Sequence, residues 1–266
     1  MRLNYHFIKH FLTHYLSATR IDVLHSPFVF DLYNTCIAKE KNQKPIYIAI
    51  ERIRKKARNS TQYITQLDFG ANGNNGKTVK KTIGYFTQKH AKPKRIAQII
   101  HRIIDKLKPN FSIEFGTSLG FTTRYIASAL TDKAELISIE GAPELASIAR
   151  NHLKEIPYSA KVKILEGNFD TILPDVLSKT EIVDFAFIDG NHTYEATLNY
   201  FNQLLNKATL QTVLIFDDIY WSEGMTKAWE EIKQHPRVNV TIDLFYIGIV
   251  FFRTEQAKQH FKLRVL

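Results

Sequence analysis

The stretch that decides the fold is Glu114-Phe115-Gly116-Thr117-Ser118-Leu119-Gly120. It joins a short apolar strand, predicted at Phe111–Phe115, to a helix predicted from about Thr122 to Leu130. Glycines at a strand-to-helix turn permit tight backbone conformations and let the main chain approach a ligand closely. The helix N-terminus then offers N–H groups to that ligand. The stretch therefore predicts a ligand-binding loop at the carboxyl end of a parallel strand, although a purely structural turn is the alternative.

Strands and helices alternate from about residue 93 to the end of the chain. Four further apolar strands, each followed by a helical pattern, are predicted near residues 136–139, 162–165, 183–188 and 213–216. Two final strands, Val238–Leu244 and Gly248–Arg253, are separated by only a few residues. The alternation predicts an α/β fold with a Rossmann-like, mostly parallel sheet, and the last pair predicts an antiparallel C-terminal hairpin.

The first 90 residues follow a different pattern. Apolar residues recur at helical spacing from Tyr5 to Leu16, after Pro27, and from Ile46 to Arg58. A Gly/Asn-rich run around residues 68–76 has the composition of a flexible loop. We therefore predict a helical N-terminal extension at 1–90 and a cofactor-binding domain at 91–266.

Composition limits the class of protein and its partners. The 266 residues are 44% hydrophobic and 23% charged, as in a globular protein, and no apolar run is long enough to predict a membrane span. The start of the chain lacks the features of a signal peptide. The single cysteine, Cys36, excludes an intrachain disulfide and suits a cytoplasmic location, and its apolar helical surroundings predict packing rather than reactivity.

The positive charge is concentrated at the front of the chain. The net charge is +10, but residues 1–110 carry 21 Lys and Arg against 6 Asp and Glu, whereas the rest is net acidic. A basic front suits nucleic acid, anionic lipid or an acidic substrate. The alternative is a solvated surface, because the basic residues are scattered along the chain.

Two glutamates indicate the class of ligand. Glu140 ends the second predicted strand, where a carboxylate can accept hydrogen bonds from both ribose hydroxyls. Glu114 begins the loop, and a carboxylate there suits a positively charged amino group and disfavours a pyrophosphate. A nicotinamide dinucleotide stays open, but its usual Gly-x-Gly-x-x-Gly loop is not the one found here. The pair favours S-adenosylmethionine.

Acidic residues end the fourth and fifth predicted strands. Asp189 follows the fourth strand, and Asp217 and Asp218 follow the fifth. Carboxylates are the ligands that Mg²⁺ prefers, and three buried acids without a cation would be costly. His192 lies three residues after Asp189, where it could take a proton from a substrate hydroxyl. Capping, packing or solvated roles are the alternatives for these side chains.

At these residues, from about 93 to 253, the sequence resembles class I S-adenosylmethionine-dependent methyltransferases. It is most similar to the metal-dependent O-methyltransferases, namely the catechol and caffeoyl-CoA types and the sugar types of macrolide pathways. Their Glu-x-Gly-x-x-x-Gly-x-Ser/Thr motif is matched at Glu114–Thr122, and an adenine-side segment is similar to Glu166–Asp170. The Asp-x-x-His of the sugar type is matched by Asp189 and His192.

The resemblance implies a site and a reaction. Asp189, Asp217 and Asp218 would hold Mg²⁺ or another divalent cation, and His192 would be the catalytic base that prepares a small hydroxylated acceptor for methylation on oxygen. The implied cofactor-binding residues are Glu114, Gly116, Thr117, Ser118, Gly120, Glu140, Gly141, Asn168, Phe169 and Asp189.

The sequence also departs from these families. The catechol type has Asp-Asn where this chain has Asp217-Asp218, and a lysine where this chain has His192. The first 90 residues resemble neither the catechol nor the caffeoyl-CoA enzyme. Together with the segment from Asp217 to Ser222, they look like a group of uncharacterised bacterial methyltransferases, which implies no acceptor.

Two other functions stay open. An RNA methyltransferase could use the basic front, although the Asn/Asp-Pro-Pro-Tyr motif of amino-group methylation does not follow the fourth strand and no cysteine lies near the crevice motifs. A non-catalytic protein could retain the cofactor-binding fold. The expected partner is a small methyl acceptor, with nucleic acid as the weaker alternative, and the apolar face at residues 5–16 leaves a homodimer open.

Overall fold

The structure, a computed structural model, describes residues 5–38, 44–68 and 77–265. Its chain divides into two compact units. The terminal unit consists of Met1–Lys39 and Thr180–Leu266, and the central unit consists of Glu40–Lys179. Most of the predicted Gly/Asn-rich loop lies outside the described residues. The predicted boundary near residue 90 stays a prediction.

The helices and strands of the terminal unit precede and follow those of the central unit along the chain. The terminal unit begins with α1 (Tyr5–Ser17), a 3₁₀ turn (Ile21–Val23), α2 (Pro27–Leu32) and a π-helical turn (Tyr33–Ile37). The central unit contains α3 (Pro45–Arg58), β1 (Tyr63–Asp68), β2 (Lys77–Thr82), α4 (Ile83–His90), α5 (Lys94–Leu107), β3 (Phe111–Phe115), α6 (Phe121–Ala129), β4 (Glu135–Glu140), α7 (Pro143–Leu153), β5 (Lys161–Glu166) and α8 (Phe169–Ser178). The terminal unit then continues with β6 (Phe185–Ile188), α9 (Tyr194–Leu205), β7 (Val213–Asp217), α10 (Glu223–Gln234), β8 (Val240–Asp243), β9 (Ile247–Phe251) and β10 (Gln259–Lys262).

The central unit is built on three parallel strands in the order β3-β4-β5. β3 and β4 are buried along almost their whole length, which is why they read as apolar runs rather than as alternating patterns. Helix α5 buries one isoleucine face. That face contains Ile96, Ile99, Ile100, Ile103 and Ile104. The predicted alternation of strand and helix is confirmed here.

An antiparallel ribbon of β1 and β2 was not expected within the first 90 residues. Tyr63 pairs with Thr82, and the register continues to Asp68 opposite Lys77. The pattern from Tyr63 to Gln66 is short, and its partner lies beyond a Gly/Asn-rich stretch, so local periodicity indicated no strand. The prediction of a wholly helical and irregular N-terminal region is therefore wrong at these two strands, because strand pairing depends on a distant partner.

The terminal unit arranges its strands in the order β10-β8-β9-β7-β6. β6 and β7 are parallel, whereas β9 runs antiparallel to both β7 and β8. The predicted C-terminal hairpin is thus confirmed. β10, which pairs in parallel with β8, was not predicted. Parallel strands alternate with helices in both units, and the predicted α/β class is confirmed.

Helix capping and burial of side chains explain the N-terminal segment of the terminal unit. Ser26 Oγ accepts a hydrogen bond from the Val29 amide at 3.3 Å and so caps α2, with Pro27 in its first turn. Cys36 is buried, in keeping with a packing role. No helix among the described residues combines the length and apolarity needed to cross a bilayer.

Candidate cofactor loop and acid–histidine cluster

The loop between β3 and α6 is anchored to the end of β4 through its backbone. The amides of Gly116 and Thr117 both donate to the Ile139 carbonyl, at 2.9 and 3.3 Å. Gly116 and Gly120 have φ values of 87° and 75°, in the left-handed region that favours glycine. A Cβ on Gly120 would also lie 3.0 Å from the Cβ of Ala149 on α7. These glycines are therefore needed for backbone geometry and close packing, as the loop pattern predicted.

A chain of three hydroxyl and carboxylate groups lies beneath the loop. Ser138 Oγ donates to Glu114 Oε2 at 2.6 Å, and Thr117 Oγ1 lies 2.5 Å from Ser138 Oγ. Because the single Ser138 proton goes to Glu114, Thr117 must be the donor in the second bond. All three side chains are at most 2% exposed. The arrangement holds the Glu114 carboxylate in one position, because a side chain of the protein donates one of its hydrogen bonds.

Ser138 is a site residue that the sequence analysis missed. It is the one hydroxyl within the apolar segment Leu136–Ile139, and it faces the interior of the unit. A lone polar residue at a buried strand position is a detectable signal, because such groups require a partner. The partner itself, however, lies on the neighbouring strand.

Glu140 closes the loop from the other side. Its Oε2 accepts a hydrogen bond from the Ser118 amide at 2.7 Å, and its Oε1 accepts one from the Ala142 amide at 2.9 Å. Ser118 itself has a φ of 49°, an uncommon value for a residue with a side chain. Glu140 therefore shapes the loop by accepting from backbone amides on both sides of it.

The other predicted cofactor residues of the central unit lie at strand ends. Gly141 follows β4 directly and is half-buried. Asn168 follows β5, is exposed, and caps α8 by accepting from the Asp170 amide at 2.9 Å. The half-buried Phe169 ring stands edge-on to Phe115, with ring centroids 5.5 Å apart. Asn168 thus caps α8, and its predicted role in binding the cofactor stays a prediction.

A buried arginine and a histidine support the loop from behind, and neither was singled out from the sequence. His152 Nδ1 donates to the Leu119 carbonyl at 3.0 Å, and Arg124 Nε donates to the His152 carbonyl at 3.0 Å. Burial lowers the pKa of Arg124 to about 10 and lowers the pKa of His152 below its usual value, although the bond to Leu119 opposes the second shift. The α7 C-terminus is thereby tied to the residue that precedes Gly120.

The terminal unit brings three predicted site residues together. One ligand atom from each of Asp189, His192 and Asp217 lies within 4.8 Å of the other two. His192 Nε2 is 3.5 Å from Asp189 Oδ1 and 3.9 Å from Asp218 Oδ2. Asp217 is 2% exposed, whereas the other three side chains are partly open to solvent. We call these four residues the acid–histidine cluster.

The backbone on both sides of the cluster adopts uncommon conformations. Asp218 has a φ of 52°, and its amide donates to the Tyr246 carbonyl at 2.7 Å. Asn191 has a φ of 49°, and Thr193 caps α9 by accepting from the Ala196 amide at 3.3 Å. Left-handed conformations at residues with side chains cost free energy and concentrate at functional sites. They turn the chain sharply after β6 and after β7.

The chemistry of the cluster suits a divalent cation. Three carboxylates and one imidazole occupy a small, partly buried volume, where the like charges of the carboxylates repel one another. Carboxylate oxygens are hard ligands for Mg²⁺, and imidazole extends the set to metals such as Mn²⁺. The donor set therefore fits the cation that the sequence predicted, and His192 belongs to it as a candidate ligand or as a neighbouring base.

The two aromatic residues after β7 have different environments. Tyr220 is buried, stacks on Phe245 at 5.3 Å between ring centroids, and donates to Asp243 Oδ2 at 2.5 Å. Burial and the Asp243 charge raise the pKa of Tyr220. Trp221 is 50% exposed. Tyr220 is thus a packing residue, and Trp221 is the one of the pair that is open to a ligand.

Comparisons with known proteins agree with this geometry. Residues 113–219 match the family model described as a methyltransferase domain. The chain is 21% identical to the caffeoyl-CoA O-methyltransferase of Stellaria longipes over 53% of its length, and 31% identical to the catechol O-methyltransferase B of Danio rerio over 34% of its length. It spans 59% and 35% of those relatives' own lengths, less than two thirds of either.

Solved structures show the same fold. The O-methyltransferase from Bacillus cereus in complex with SAH superposes with a TM-score of 0.53 at 17% identity, covering 87% of this chain and 100% of that one. At this identity the likeness concerns the fold, and the predicted Rossmann-like class I methyltransferase fold is confirmed. The resemblance drawn from the loop and the strand ends is confirmed as well: residues 113–219 match a methyltransferase domain, and the two relatives above are named as O-methyltransferases.

Proposed function

We propose that this chain uses S-adenosylmethionine to methylate an oxygen of a small acceptor that carries two neighbouring oxygen atoms, with the help of a divalent cation, most simply Mg²⁺. The observation that carries the proposal is the acid–histidine cluster, in which ligand atoms of Asp189, His192 and Asp217 lie within 4.8 Å of one another. The relatives named as catechol and caffeoyl-CoA O-methyltransferases support the same class of acceptor. We also propose residues 91–266 as the catalytic part.

The central unit supplies the cofactor residues in this proposal. Glu114, held by Ser138, faces the cationic amino group of the cofactor, and the backbone of Gly116–Gly120 lies against its amino-acid portion. Glu140 accepts hydrogen bonds from the ribose hydroxyls. Gly141 borders the ribose, and the exposed Asn168 with the half-buried Phe169 ring borders the adenine. The N-terminal turn of α6 has no side-chain cap, so its amides are available to a ligand.

The terminal unit prepares the acceptor. Asp189, Asp217 and Asp218 would hold the cation, which lowers the pKa of a coordinated hydroxyl when it is bound. His192 takes the hydroxyl proton at Nε2, and the nearby carboxylates Asp189 and Asp218 stabilise the imidazolium that results. Trp221 offers an exposed aromatic surface for an acceptor ring.

The direct test is methyl transfer from labelled S-adenosylmethionine to catechol and to non-aromatic vicinal diols. We expect turnover with Mg²⁺, loss of turnover in EDTA, and recovery when Mg²⁺ is restored. Full activity in EDTA would remove the cation from the proposal. Binding of S-adenosylhomocysteine without transfer to any acceptor would favour a non-catalytic protein, and transfer to RNA alone would favour the nucleic-acid alternative.

The role of His192 is tested separately. If His192 is the base, His192→Ala should abolish turnover but leave the affinity for Mn²⁺, measured by electron paramagnetic resonance, within about twofold. His192→Lys should recover part of the turnover with an activity optimum at higher pH, because lysine has a higher pKa. Loss of Mn²⁺ binding in His192→Ala would instead make His192 a ligand.

A further inference from the structure

Helix α1 presents an apolar face to solvent rather than to the protein. At 100° per residue, five large apolar side chains fall within an arc of about 100°. They are Tyr5, Ile8, Leu12, Tyr15 and Leu16, and all except the half-buried Ile8 are at least half exposed. Leu16 is 79% exposed and Leu12 is 55% exposed. An amphipathic helix that only covers a protein surface shows the opposite arrangement.

The inward face of α1 is held to the terminal unit mainly by polar and aromatic groups. His14, the most buried residue of the helix, contacts the Asp243 carboxylate and carbonyl through Nε2, each at 3.1 Å. His6 Nε2 lies 2.9 Å from Thr226 Oγ1, and the His10 ring stacks on Tyr220 with centroids 5.0 Å apart. Because these contacts fix the orientation of the helix on the terminal unit, its apolar face is held outward.

The surroundings of this face are basic. Lys9 lies on α1 next to the apolar arc and is exposed. Arg264 lies 4.0 Å above the Tyr15 ring, and its guanidinium donates to the Tyr15 carbonyl. Helix α1 itself contains no acidic residue.

We infer that the outward face of α1 docks on the surface of an anionic phospholipid membrane, with the helix lying parallel to that surface. Exposed apolar residues bordered by cations suit the boundary between anionic headgroups and acyl chains. Association of two copies through this face is disfavoured, because it would bring Lys9 and Arg264 of each copy together. The inference is independent of the proposed reaction and concerns attachment at a surface, not a span.

The test uses the full chain and flotation with vesicles. Vesicles of equal parts phosphatidylglycerol and phosphatidylcholine should carry the protein, pure phosphatidylcholine vesicles should carry at least tenfold less, and added salt should weaken binding. Leu12→Ala with Leu16→Ala should lower binding to the anionic vesicles about tenfold or more, because alanine keeps helix propensity but removes apolar surface. Lys9→Glu should also weaken it.

Matched controls distinguish binding through this face from nonspecific binding to vesicles. Leu107 and Leu210 are exposed at 36% and 50%, and replacing both with alanine should leave vesicle binding unchanged. Lys55→Glu, an exposed charge reversal on α3, should change binding less than Lys9→Glu. Circular dichroism confirms that each variant is folded.

Four results would overturn the inference. The first is no binding to anionic vesicles, and the second is equal binding by the wild type and the Leu12/Leu16 variant. The third is a dimer in analytical ultracentrifugation that the same variant dissociates while binding to vesicles stays unchanged. The fourth is binding to an RNA oligonucleotide that competes with vesicle binding and is not weakened by the Leu12/Leu16 substitutions.

Discussion

The cofactor loop and the acid–histidine cluster both contain buried polar groups, but these groups are arranged in different ways. In the loop, Thr117, Ser138 and Glu114 hydrogen-bond in sequence, and backbone amides satisfy Glu140. In the cluster, the carboxylates of Asp189 and Asp218 both lie within 4 Å of His192 Nε2, with the buried Asp217 nearby. The loop is shaped by bonds within the protein, whereas the cluster gathers negative charge.

This difference predicts different responses to ligand and to mutation. A preorganised loop loses stability when one of its internal bonds is removed. A cluster of like charges gains stability when a charge is removed or when a cation arrives. Substitutions in the loop of the central unit should therefore lower the stability of the folded protein. Substitutions in the cluster of the terminal unit should instead change cation binding.

The largest expected effect is that of Asp217→Asn on activity. We expect methyl transfer to fall by about a thousandfold, equivalent to about 4 kcal/mol, because the buried carboxylate would be lost from the cation site. The thermal stability of the metal-free protein should stay the same or rise, since one like charge is gone. Asp175→Asn, which removes an exposed carboxylate paired with Lys179, is the control and should leave activity intact.

The second effect concerns the wild-type protein and its cation. Mg²⁺ or Mn²⁺ at about 100 times its dissociation constant should stabilise the folded state by about 2.7 kcal/mol. Differential scanning fluorimetry should show a rise in melting temperature that Asp217→Asn abolishes. An equal rise in both proteins would mean that the cation binds elsewhere.

The third effect tests the internal bonds of the loop. Ser138→Ala should reduce the free energy of unfolding by about 2 kcal/mol, because it leaves a buried carboxylate and a buried hydroxyl without their shared partner. Urea denaturation gives this value. Ser178→Ala, at an exposed position whose hydroxyl bonds to a nearby carbonyl, should cost far less. Equal losses would show that the loop is not specially dependent on its hydroxyl chain.

The fourth effect tests close packing behind the loop. Gly120→Ala should destabilise the protein by about 1–2 kcal/mol, because the new Cβ meets Ala149 and the left-handed backbone disfavours it. Ala149→Gly should restore the part due to contact but not the part due to φ. Gly224→Ala, a glycine in α10 with only ordinary contacts nearby, should be neutral or stabilising by the same measurement.

The smallest effect is a change in the pH dependence of stability. The pKa of His152 is lowered in the folded state from 6.5, mainly by burial, so the unfolded chain binds more protons. Stability from this residue is thus complete above about pH 6.5 and is lost as the pH falls, with a slope of at most about 1.4 kcal/mol per pH unit.

His152→Asn isolates that contribution, because asparagine keeps a donor for Leu119 but does not titrate. His101, whose pKa burial lowers to about 4, titrates in the same direction in both proteins. Unfolding at several pH values should therefore show a shallower slope in the variant. A slope identical to that of the wild type would contradict the assignment.

Local signals predicted much of the fold from the sequence. The strand at Phe111–Phe115 has the predicted bounds, and helices α7 and α9 follow β4 and β6 as the helical patterns predicted. These elements are bounded by turn residues or caps and carry apolar periodicity, which short-range interactions determine. The sequence did not predict the ribbon of β1 and β2 or the edge strand β10. These strands form because they pair with a distant partner, and their own sequence patterns do not indicate a strand.

The roles of the site residues divide in the same way. Residue type and spacing pointed to Glu114, Glu140, Asp189 and His192 as candidates, because loop glycines and strand-end acids are encoded locally. Tertiary structure alone showed that Ser138 bonds to Glu114, since the two lie on neighbouring strands 24 residues apart in the chain.

The sequence by itself determined the alternation of strands and helices, the loop, and the identity of the strand-end acids, since each depends on neighbours along the chain. Only the tertiary structure decided that His192 lies among three carboxylates, that Gly120 lies against Ala149, and that α1 turns its apolar face outward. The physical reason is that burial, charge repulsion and close packing act between residues that are distant in sequence and near in space.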